Sequence, residues 1–432
     1  MKVSFYTLGC KVNQNETGSL AQLFIQNGFE VAADGEKADV YIVNSCTVTA
    51  QGDKKSRQWL RRAKREAPDA VTVLTGCFPQ AFAEEAALVS EADVVTGSSA
   101  RRRILDDVLL FMQTGKRIID IVPHENGEAF EELPMEHLEE RTRSFMKIED
   151  GCGRQCAYCV IPRARGNVRS RSEESILAEL KSLSESGYGE AVFTGINLSS
   201  YGKDFKDGTT LADIVLKASQ QGCIKRIRLG SLEPDLMDEK AIATLKKADR
   251  LCPQFHLALQ SGCDETLRRM RRVYTTAEFK TVMENIRASF PNASFTTDVI
   301  VGFPGETDEE FEKSVEFIKS CGFLKVHVFS FSRREGTPAY DMPNQIDEHE
   351  KSRRNHILQT AADEIRAQII NKMLGSECEV LLEKPISATN FTGYTREYVP
   401  VVVSAKGHCV NDIVKCTLGE FDGERCKAAC CE

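Results

Sequence analysis

Residues 152–159 read CGRQCAYC, which spaces Cys152, Cys156 and Cys159 as C-x3-C-x2-C. Thiolates are soft donors that suit iron–sulfur clusters or zinc. A structural zinc site takes four protein ligands, whereas three closely spaced cysteines leave one position on the metal free. The spacing therefore favours an iron–sulfur cluster with an open iron. Zinc with a distant fourth ligand is the alternative.

The motif follows the first of six short strand-like runs that alternate with helical stretches, which is typical of repeated strand–helix units. The runs cover residues 145–148, 191–194, 226–229, 255–259, 295–300 and 326–331. They predict an incomplete (β/α)6 barrel within residues 141–373, which end in a long helix from about residue 347. Barrels of this kind carry their chemistry at the carboxyl ends of the strands, where the cysteine motif falls.

Another α/β unit precedes the barrel, over residues 1–115. Its strand-like runs alternate with amphipathic stretches, which predicts a parallel sheet flanked by helices. Cys10, Cys46 and Cys77 each follow one of these runs. Open α/β sheets build their sites at the carboxyl edge, so three cysteines at equivalent positions predict one shared ligand site.

The remaining segments are predicted to be a linker and a small appendage. Residues 116–140 contain Pro123 and an acidic run, which is typical of a linker. Residues 374–432 are β-rich with Gly and Asn between the runs, so we expect a small β-barrel there. Cys426, Cys430 and Cys431 are predicted to lie in a frayed tail.

Composition limits the class of protein. The chain has 432 residues, enough for about three domains, and 41% of them are hydrophobic. A net charge of −8 argues against a wholly basic nucleic-acid coat. Sixteen cysteines are many for a reducing compartment and indicate metal ligation. Because no apolar stretch approaches the length of a membrane span, we expect a soluble, cytoplasmic protein.

Together these motifs resemble the radical S-adenosylmethionine methylthiotransferase family, and the resemblance extends over essentially the whole chain. The matching stretches are TLGCKVNQ at 7–14, RSFMKIEDGC at 143–152, TGIN at 194–197, GSLEP at 230–234, LQSG at 259–262 and GFPGET at 302–307. The final segment, with FTGY at 391–394, is similar to a TRAM domain, an RNA-binding β-barrel.

The form GCKVN at residues 9–13 resembles one subgroup, the MtaB type, which acts on N6-threonylcarbamoyladenosine in tRNA. Sister subgroups act on isopentenyladenosine in tRNA or on a ribosomal-protein aspartate, and these remain the alternative substrates. An alternative from a different functional class is a non-catalytic RNA-binding protein whose fold is stabilised by zinc. Zinc would give a colourless protein and iron–sulfur clusters a brown one.

The resemblance implies two 4Fe–4S clusters. The three cysteines of residues 152–159 would hold the first, which chelates S-adenosylmethionine and reduces it to a 5′-deoxyadenosyl radical. Cys10, Cys46 and Cys77 would hold an auxiliary cluster that carries the sulfur to be donated. A second S-adenosylmethionine would methylate that sulfur. The implied product is an adenine with a methylthio group at carbon 2.

The residues predicted to bind S-adenosylmethionine lie in the cysteine motif or after barrel strands. They are Tyr158, Gly195, Ser231, Glu233, Gln260 and Arg271. Glu233 and Ser231 would bond the ribose hydroxyls, Arg271 would meet the carboxylate, and Gly195 would permit close backbone approach. An ordinary ion pair between Glu233 and Arg271 is the alternative. Asp298 lies within a predicted strand, where its side chain would either face the barrel interior or have a purely structural role.

Four arginines follow the cysteine motif and border the predicted active site: Arg163, Arg165, Arg169 and Arg171. Guanidinium groups suit phosphate and base contacts, and Tyr394 in the terminal barrel would stack on unpaired bases. These residues predict the tRNA anticodon stem-loop as partner. We also expect an electron donor such as flavodoxin or ferredoxin, no membrane association, and a monomer.

Overall fold

The computed structural model describes residues 1–133 and 142–431. The chain opens with a parallel six-stranded sheet in the order β2-β1-β3-β4-β5-β6. Its strands are β1 (Lys2–Thr7), β2 (Glu30–Val31), β3 (Val40–Ser45), β4 (Val71–Gly76), β5 (Val94–Thr96) and β6 (Ile118–Asp120). The helices of this unit are α1 (Lys11–Gln26), α2 (Ala50–Glu66), α3 (Cys77–Ala81), α4 (Ala83–Ala87) and α5 (Arg103–Thr114).

The first sheet is covered on both faces, which explains why β3 and β4 contain no charged residue. On one face Ile42 and Val73 pack against α1 and α5, and on the other Val43 and Leu74 pack against α2 and α3. The predicted parallel sheet is confirmed. Residues 118–120 of the predicted linker add its sixth strand, and residues 134–140 of that linker lie outside the described residues.

The second unit is the predicted incomplete barrel. Its strands, with a short antiparallel pair beside them, are β7 (Arg143–Lys147), β8 (Glu149–Asp150), β9 (Arg169–Ser170), β10 (Glu190–Thr194), β11 (Arg226–Leu229), β12 (Ser231–Leu232), β13 (Gln254–Leu257), β14 (Ser294–Val301) and β15 (Lys325–Ser330). They form the parallel sheets β11-β10-β7 and β12-β13-β14-β15, joined by a bridge between Ile227 and Leu251. Within the described residues β7 and β15 do not pair, so the barrel is open at that side.

Most helices of this unit cover the outside of the barrel, whereas the shortest of them packs against α3 of the first unit. The helices are α6 (Ile161–Arg165), α7 (Glu173–Glu185), α8 (Leu211–Gln221), α9 (Glu239–Leu245), α10 (Asp264–Arg269), α11 (Thr276–Ser289), α12 (Asp308–Cys321) and α13 (Glu348–Met373). Capping boxes at Thr210, Thr275 and Thr307 satisfy the first N–H groups of three of them. In the part of the chain that is described, no helix combines the length and apolarity needed to cross a membrane.

The last unit is a closed five-stranded barrel in the order β16-β17-β18-β20-β19. Its strands are β16 (Glu377–Pro385), β17 (Asn390–Thr395), β18 (Pro400–Ser404), β19 (Ile413–Phe421) and β20 (Cys426–Cys430). The prediction of a frayed tail is wrong for Cys426 and Cys430, because both lie in β20, paired with Val401 and Cys416. Cys426 and Ala428 of this strand point into the small barrel's core, whereas Lys427 and Ala429 are exposed.

The turn between β17 and β18 closes the amino-terminal end of the large barrel. Arg228 at the base of that barrel donates to the carbonyl of Arg396 over 3.0 Å. Tyr398 stacks on Tyr394 with ring centroids 4.5 Å apart, and the guanidinium carbon of Arg228 lies 4.8 Å from the Tyr398 ring centroid. The two barrels are therefore joined by a hydrogen bond from a side chain to the backbone and by a cation–π contact. The domain boundaries at residues 115, 140 and 373 stay predictions.

Candidate active site with two cysteine clusters

Cys46 and Cys77 directly follow β3 and β4, and Cys10 comes three residues after β1, so all three lie at the carboxyl edge of the first sheet. Gly9 has a φ of +117°, and a Cβ built on it would lie 3.0 Å from the Cβ of Cys46. Only glycine adopts this conformation at little cost and leaves room for the second loop. The structure brings the three predicted ligands together as the strand order requires.

Asn13 fixes the loops that carry two of these cysteines. Its Nδ2 donates to the carbonyl of Ser45 over 3.1 Å, and Asn44 Nδ2 donates back to the Asn13 carbonyl over 3.0 Å. Burial raises the pKa of Cys46 to about 12, and the neighbouring Cys77 adds to the shift. The Cys46 thiol is thus protonated at neutral pH, and a metal centre bound at this position would take the place of its proton.

A buried group of charges, which we call the junction network, joins this sheet edge to the large barrel. It consists of Glu16 and Arg101 from the first unit and Lys147, Asp150 and Arg165 from the barrel. Arg165 donates to Glu16 through Nη1 (2.5 Å) and Nη2 (3.0 Å), Arg101 lies 2.9 Å from Glu16, and Lys147 lies 3.0 Å from both Glu16 and Asp150.

The junction network also contacts both cysteine loops. Arg165 Nε donates to Cys77 Sγ over 3.2 Å, and Asp150 lies two residues before Cys152. Burial alone would raise the pKa of Glu16, but the guanidinium groups of Arg101 and Arg165 lower it to about 2. Glu16 is therefore an anion in the interior, and it holds the two loops in one arrangement.

The structure corrects the predicted RNA contacts of Arg165 and Arg169. The Arg165 side chain is 0% exposed and the Arg169 side chain 7% exposed, because both turn inward toward carboxylates. Their guanidinium groups cannot reach a partner outside the protein. Arg163 is exposed, whereas Arg171 is half-buried and pairs with Glu179. The RNA-binding roles of Arg163, Arg171 and Tyr394 stay predictions.

The second cysteine group lies in the loop between β8 and α6. Cys152 accepts from the Arg154 N–H (3.4 Å) and from Asn197 Nδ2 (3.6 Å), and Cys156 accepts from Arg272 Nη1 over 3.2 Å. Hydrogen bonds to ligand sulfurs are a feature of protein-bound iron–sulfur clusters, whose potentials they tune. The donor set therefore fits a three-thiolate cluster.

Two buried oxygen atoms beside Cys152 have no hydrogen-bond partner in the described residues: Glu149 Oε1 and Asn197 Oδ1. Buried polar atoms are nearly always paired. Burial raises the pKa of Glu149 well above its ordinary value, although the carboxyl accepts from the Asn197 N–H over 2.8 Å. These orphaned acceptors can receive donors from a ligand. TGIN marked the loop in the sequence, but nothing there singled out Glu149.

Gly195 was predicted to let the backbone approach the cofactor closely. In the structure its close neighbour is Glu149. A Cβ on Gly195 would overlap Glu149 Oε2 and lie 3.0 Å from the Glu149 Cβ. The loop after β10 therefore depends on the absence of a side chain here. Tyr158 is half-buried, and its ring centroid lies 6.4 Å from that of Phe303.

Arg272, rather than Arg271, meets Glu233. The Arg272 guanidinium contacts the Glu233 carboxylate, and its Nε donates to the Tyr274 hydroxyl over 3.0 Å. Arg271 is exposed and has a φ of +58°. The sequence RRMRR at 268–272 offers four arginines without a pattern that distinguishes them, so Arg272 was missed.

The other two predicted cofactor residues follow barrel strands, with Ser231 two residues after β11 and Gln260 three residues after β13. Ser231 is exposed in β12, and Gln260 has a φ of +68° with its N–H bonded to the Asp298 carbonyl over 2.9 Å. Both positions face the cysteine motif's end of the barrel, since parallel strands end at the same rim. Their predicted contacts with a cofactor stay predictions.

Two protein families match parts of the chain. The radical SAM superfamily matches residues 146–318, and the uncharacterized protein family UPF0004 matches residues 2–97. The first span covers most of the large barrel, and the second covers five of the six strands of the first sheet.

Curated relatives match nearly the full length. The chain is 37% identical over 417 residues to threonylcarbamoyladenosine tRNA methylthiotransferase MtaB of Bacillus subtilis, covering 96% of this chain and 92% of the relative. It is 34% identical over 403 residues to tRNA-2-methylthio-N(6)-dimethylallyladenosine synthase of Natranaerobius thermophilus, covering 91% and 89%. The solved radical S-adenosylmethionine methyltransferase TsrM from Kitasatospora setae aligns with a TM-score of 0.56 at 16% identity, over 78% of this chain and 77% of that one, which shows a shared fold alone.

Proposed function

The chain belongs to the radical S-adenosylmethionine methylthiotransferase family, and we propose that it transfers a methylthio group to carbon 2 of N6-threonylcarbamoyladenosine in tRNA. The observation that carries the proposal is the convergence of two cysteine triads at neighbouring strand ends, joined by the junction network. Four relatives named for this activity match the chain at 34–37% identity.

We assign Cys152, Cys156 and Cys159 to the first 4Fe–4S cluster, and the triad of Cys10, Cys46 and Cys77 to the auxiliary one. When bound, the two clusters and S-adenosylmethionine supply the electron transfer, the radical and the sulfur that the reaction needs. The N–H groups of Asn197 and Arg272 stabilise thiolate charge on the first triad, because they already bond its sulfurs.

The orphaned acceptors Glu149 Oε1 and Asn197 Oδ1 are assigned to the cofactor's ammonium group, since a cation satisfies buried carbonyl-type oxygens that lack a donor. Arg272 holds Glu233 in place for the ribose hydroxyls. Tyr158, Ser231 and the loop at Gln260 complete the assigned set. These residues bind and orient the cofactor, and the half-buried site limits water near it.

Substituting Gly195 by alanine tests the cofactor site. The added methyl group displaces Glu149 and breaks its 2.8 Å bond to the Asn197 N–H. We expect 5′-deoxyadenosine formation to fall about 100-fold, the usual effect of a misplacement near 1 Å. Gly18→Ala, at a glycine of α1 that has open space around it and no positive φ, is a control for glycine loss outside the site. Equal rates in Gly195→Ala and wild type would remove this loop from the cofactor site.

We propose further that the partner is the tRNA anticodon stem-loop, contacted by Arg163, Arg171 and Tyr394. The proposed electron donor is a flavodoxin or ferredoxin, and the enzyme is proposed to act as a monomer in the cytoplasm. The division into residues 1–115, 116–140, 141–373 and 374–432 is part of the same proposal.

Mass spectrometry of tRNA nucleosides tests the substrate. Cells that lack the native activity are supplied with this protein or with its Cys156→Ala variant. The wild type is expected to add a methylthio group to threonylcarbamoyladenosine, and the variant to add none. Methylthiolation of isopentenyladenosine instead would keep the chemistry and replace the substrate. Unmodified tRNA nucleosides, with both proteins expressed, would contradict a tRNA substrate.

A further inference from the structure

Three neighbouring strands of the large barrel present polar side chains to its interior: His256 on β13, Asp298 on β14 and His327 on β15. Asp298 and His327 are directly paired in register, and one ligand-type atom from each of the three residues lies within 4.8 Å of the other two. Their strand neighbours Phe255 and Val299 pack outward, which points the three polar residues inward. The His256 side chain is 15% exposed and that of Asp298 31% exposed, so this group borders a solvent-accessible part of the barrel interior, which we call the chamber.

Lys11 reaches the chamber at the open side of the barrel, between β7 and β15, where its charge acts on Asp298. Its Nζ lies 5.8 Å from the ring centroid of Phe145, and Phe145 faces inward because its neighbour Met146 packs in the outer core. Asn15, one turn further along α1, donates to the Phe145 carbonyl over 2.5 Å. The first turn of α1 is therefore fixed at the open side of the barrel, next to β7.

The chamber holds polar groups that the protein does not satisfy. Among the described residues Lys11 makes no ion pair within 4 Å and no hydrogen bond, although Glu190, Tyr398, Arg143 and Arg228 are near enough to act on its charge. The His327 ring likewise makes no hydrogen bond in the described residues. Asp298 has one partner, His256 Nε2 at 3.3 Å, while His256 Nδ1 is taken up by Thr296 Oγ1 at 2.9 Å. Half-buried charged groups without partners indicate a ligand that completes them.

We infer that this chamber binds the N6 substituent of the substrate adenine, with the Lys11 ammonium as the partner of a carboxylate on that substituent. The inference rests on the proposed function and adds to it the residue, Lys11, that recognises the substrate's N6 substituent. A threonylcarbamoyl group carries one carboxylate, one hydroxyl and the N–H groups of a urea. The chamber offers a cation for the carboxylate, and Asp298 and His327 for the hydroxyl and N–H groups.

The position of Lys11 suits this role. It follows Cys10, which is assigned to the auxiliary cluster, directly in the chain. In adenine, carbon 2 and the carbon that bears N6 flank the same ring nitrogen. A substituent held at Lys11 therefore keeps carbon 2 on the side of the auxiliary cysteines, where the sulfur is donated.

The same chamber disfavours a prenyl substituent. An apolar chain would displace water from Lys11, Asp298 and His327 without forming hydrogen bonds to them in its place. Sites built to bond polar groups reject analogues that lack them by about 10⁴-fold or more.

The test compares Lys11→Met with wild type and with Lys319→Met, which removes an exposed lysine on α12. The substrates are an anticodon stem-loop with threonylcarbamoyladenosine and the same stem-loop with the carboxylate as its methyl ester. We expect wild type to prefer the free acid, and Lys11→Met to lose about 100-fold in kcat/KM for the acid while it treats acid and ester alike. Lys319→Met should match wild type, and Lys11→Arg should recover part of the preference.

Because Lys11→Met could disturb the cluster site at the adjacent Cys10, a second variant tests the chamber at a residue far from the cysteines. His327→Leu is distant in sequence from every assigned cysteine, and we expect at least a tenfold loss for the acid at full iron content. Wild-type activity on the acid with unchanged acid-over-ester preference in Lys11→Met overturns the inference and leaves the proposed function intact. Metal analysis gives a second outcome that overturns the inference: zinc, or iron in excess of the two clusters, in the wild type but absent from His327→Leu. No activity of wild type on the acid overturns the proposed function itself.

Discussion

Replacement of Cys46 by alanine is expected to lower the iron content of the anaerobically reconstituted protein from about eight atoms per chain to about four. Methylthio product should fall below detection, because the auxiliary site supplies the sulfur. Formation of 5′-deoxyadenosine should persist, since the other cysteine triad accepts its hydrogen bonds from Arg154, Asn197 and Arg272 and none from Cys46. Iron analysis and chromatography of the nucleosides measure the two effects.

Cys223→Ala is the matched control, because Cys223 is half-buried like Cys46 and lies outside both triads. It should keep about eight iron atoms and full activity. Retention of product by Cys46→Ala would place the sulfur source elsewhere in the protein. Loss of 5′-deoxyadenosine as well would mean that the two sites do not assemble independently.

Arg165→Met is expected to lower the free energy of unfolding by about 3–5 kcal/mol, because it leaves the buried carboxylates of Glu16 and Asp150 short of a cation. The Arg165 side chain is 0% exposed and bonds Glu16 twice. Urea denaturation of the apoprotein, followed by circular dichroism, measures the change. Arg65→Met removes an exposed guanidinium of α2 that makes no ion pair or side-chain hydrogen bond among the described residues, and it should change the free energy by less than about 1 kcal/mol.

The junction network also gives a pH dependence of definite sign. The pKa of Glu16 is about 2 in the folded protein, against an ordinary value of 4.5. Its contribution to stability is therefore complete above pH 4.5 and is lost as the pH falls toward about 2. Arg165→Met should flatten this part of the stability profile. A variant as stable as wild type, with the same acid profile, would show that the network does not hold the two units together.

The strands of the two α/β units could be predicted from the sequence because their apolar runs are well separated by helical periods. The order of the first sheet, in which β3 lies between β1 and β4, then brings Cys10, Cys46 and Cys77 together without further information. The strand β20 was missed, because CKAAC at 426–430 has small residues in place of the large apolar ones that mark a strand.

The charged residues of the site could not be placed from the sequence. Arg165 follows the cysteine motif within an arginine-rich stretch, which is typical of a nucleic-acid contact. Its actual partner, Glu16, lies 149 residues earlier in the chain. Nothing local distinguishes an arginine that points inward from one that points outward. Arg272 and Glu149 were missed for the same reason, since their roles depend on contacts between loops that only the folded barrel brings together.

The most direct test of the account uses the purified, anaerobically reconstituted protein with S-adenosylmethionine, a reductant and a synthetic anticodon stem-loop that carries threonylcarbamoyladenosine. The product is digested and its nucleosides are analysed by mass spectrometry, with S-adenosylmethionine labelled in its methyl group. The account predicts a methylthio group on carbon 2 of the nucleoside, with the label in its methyl carbon and 5′-deoxyadenosine formed alongside. Continued formation of 5′-deoxyadenosine with no methylthio nucleoside would contradict it.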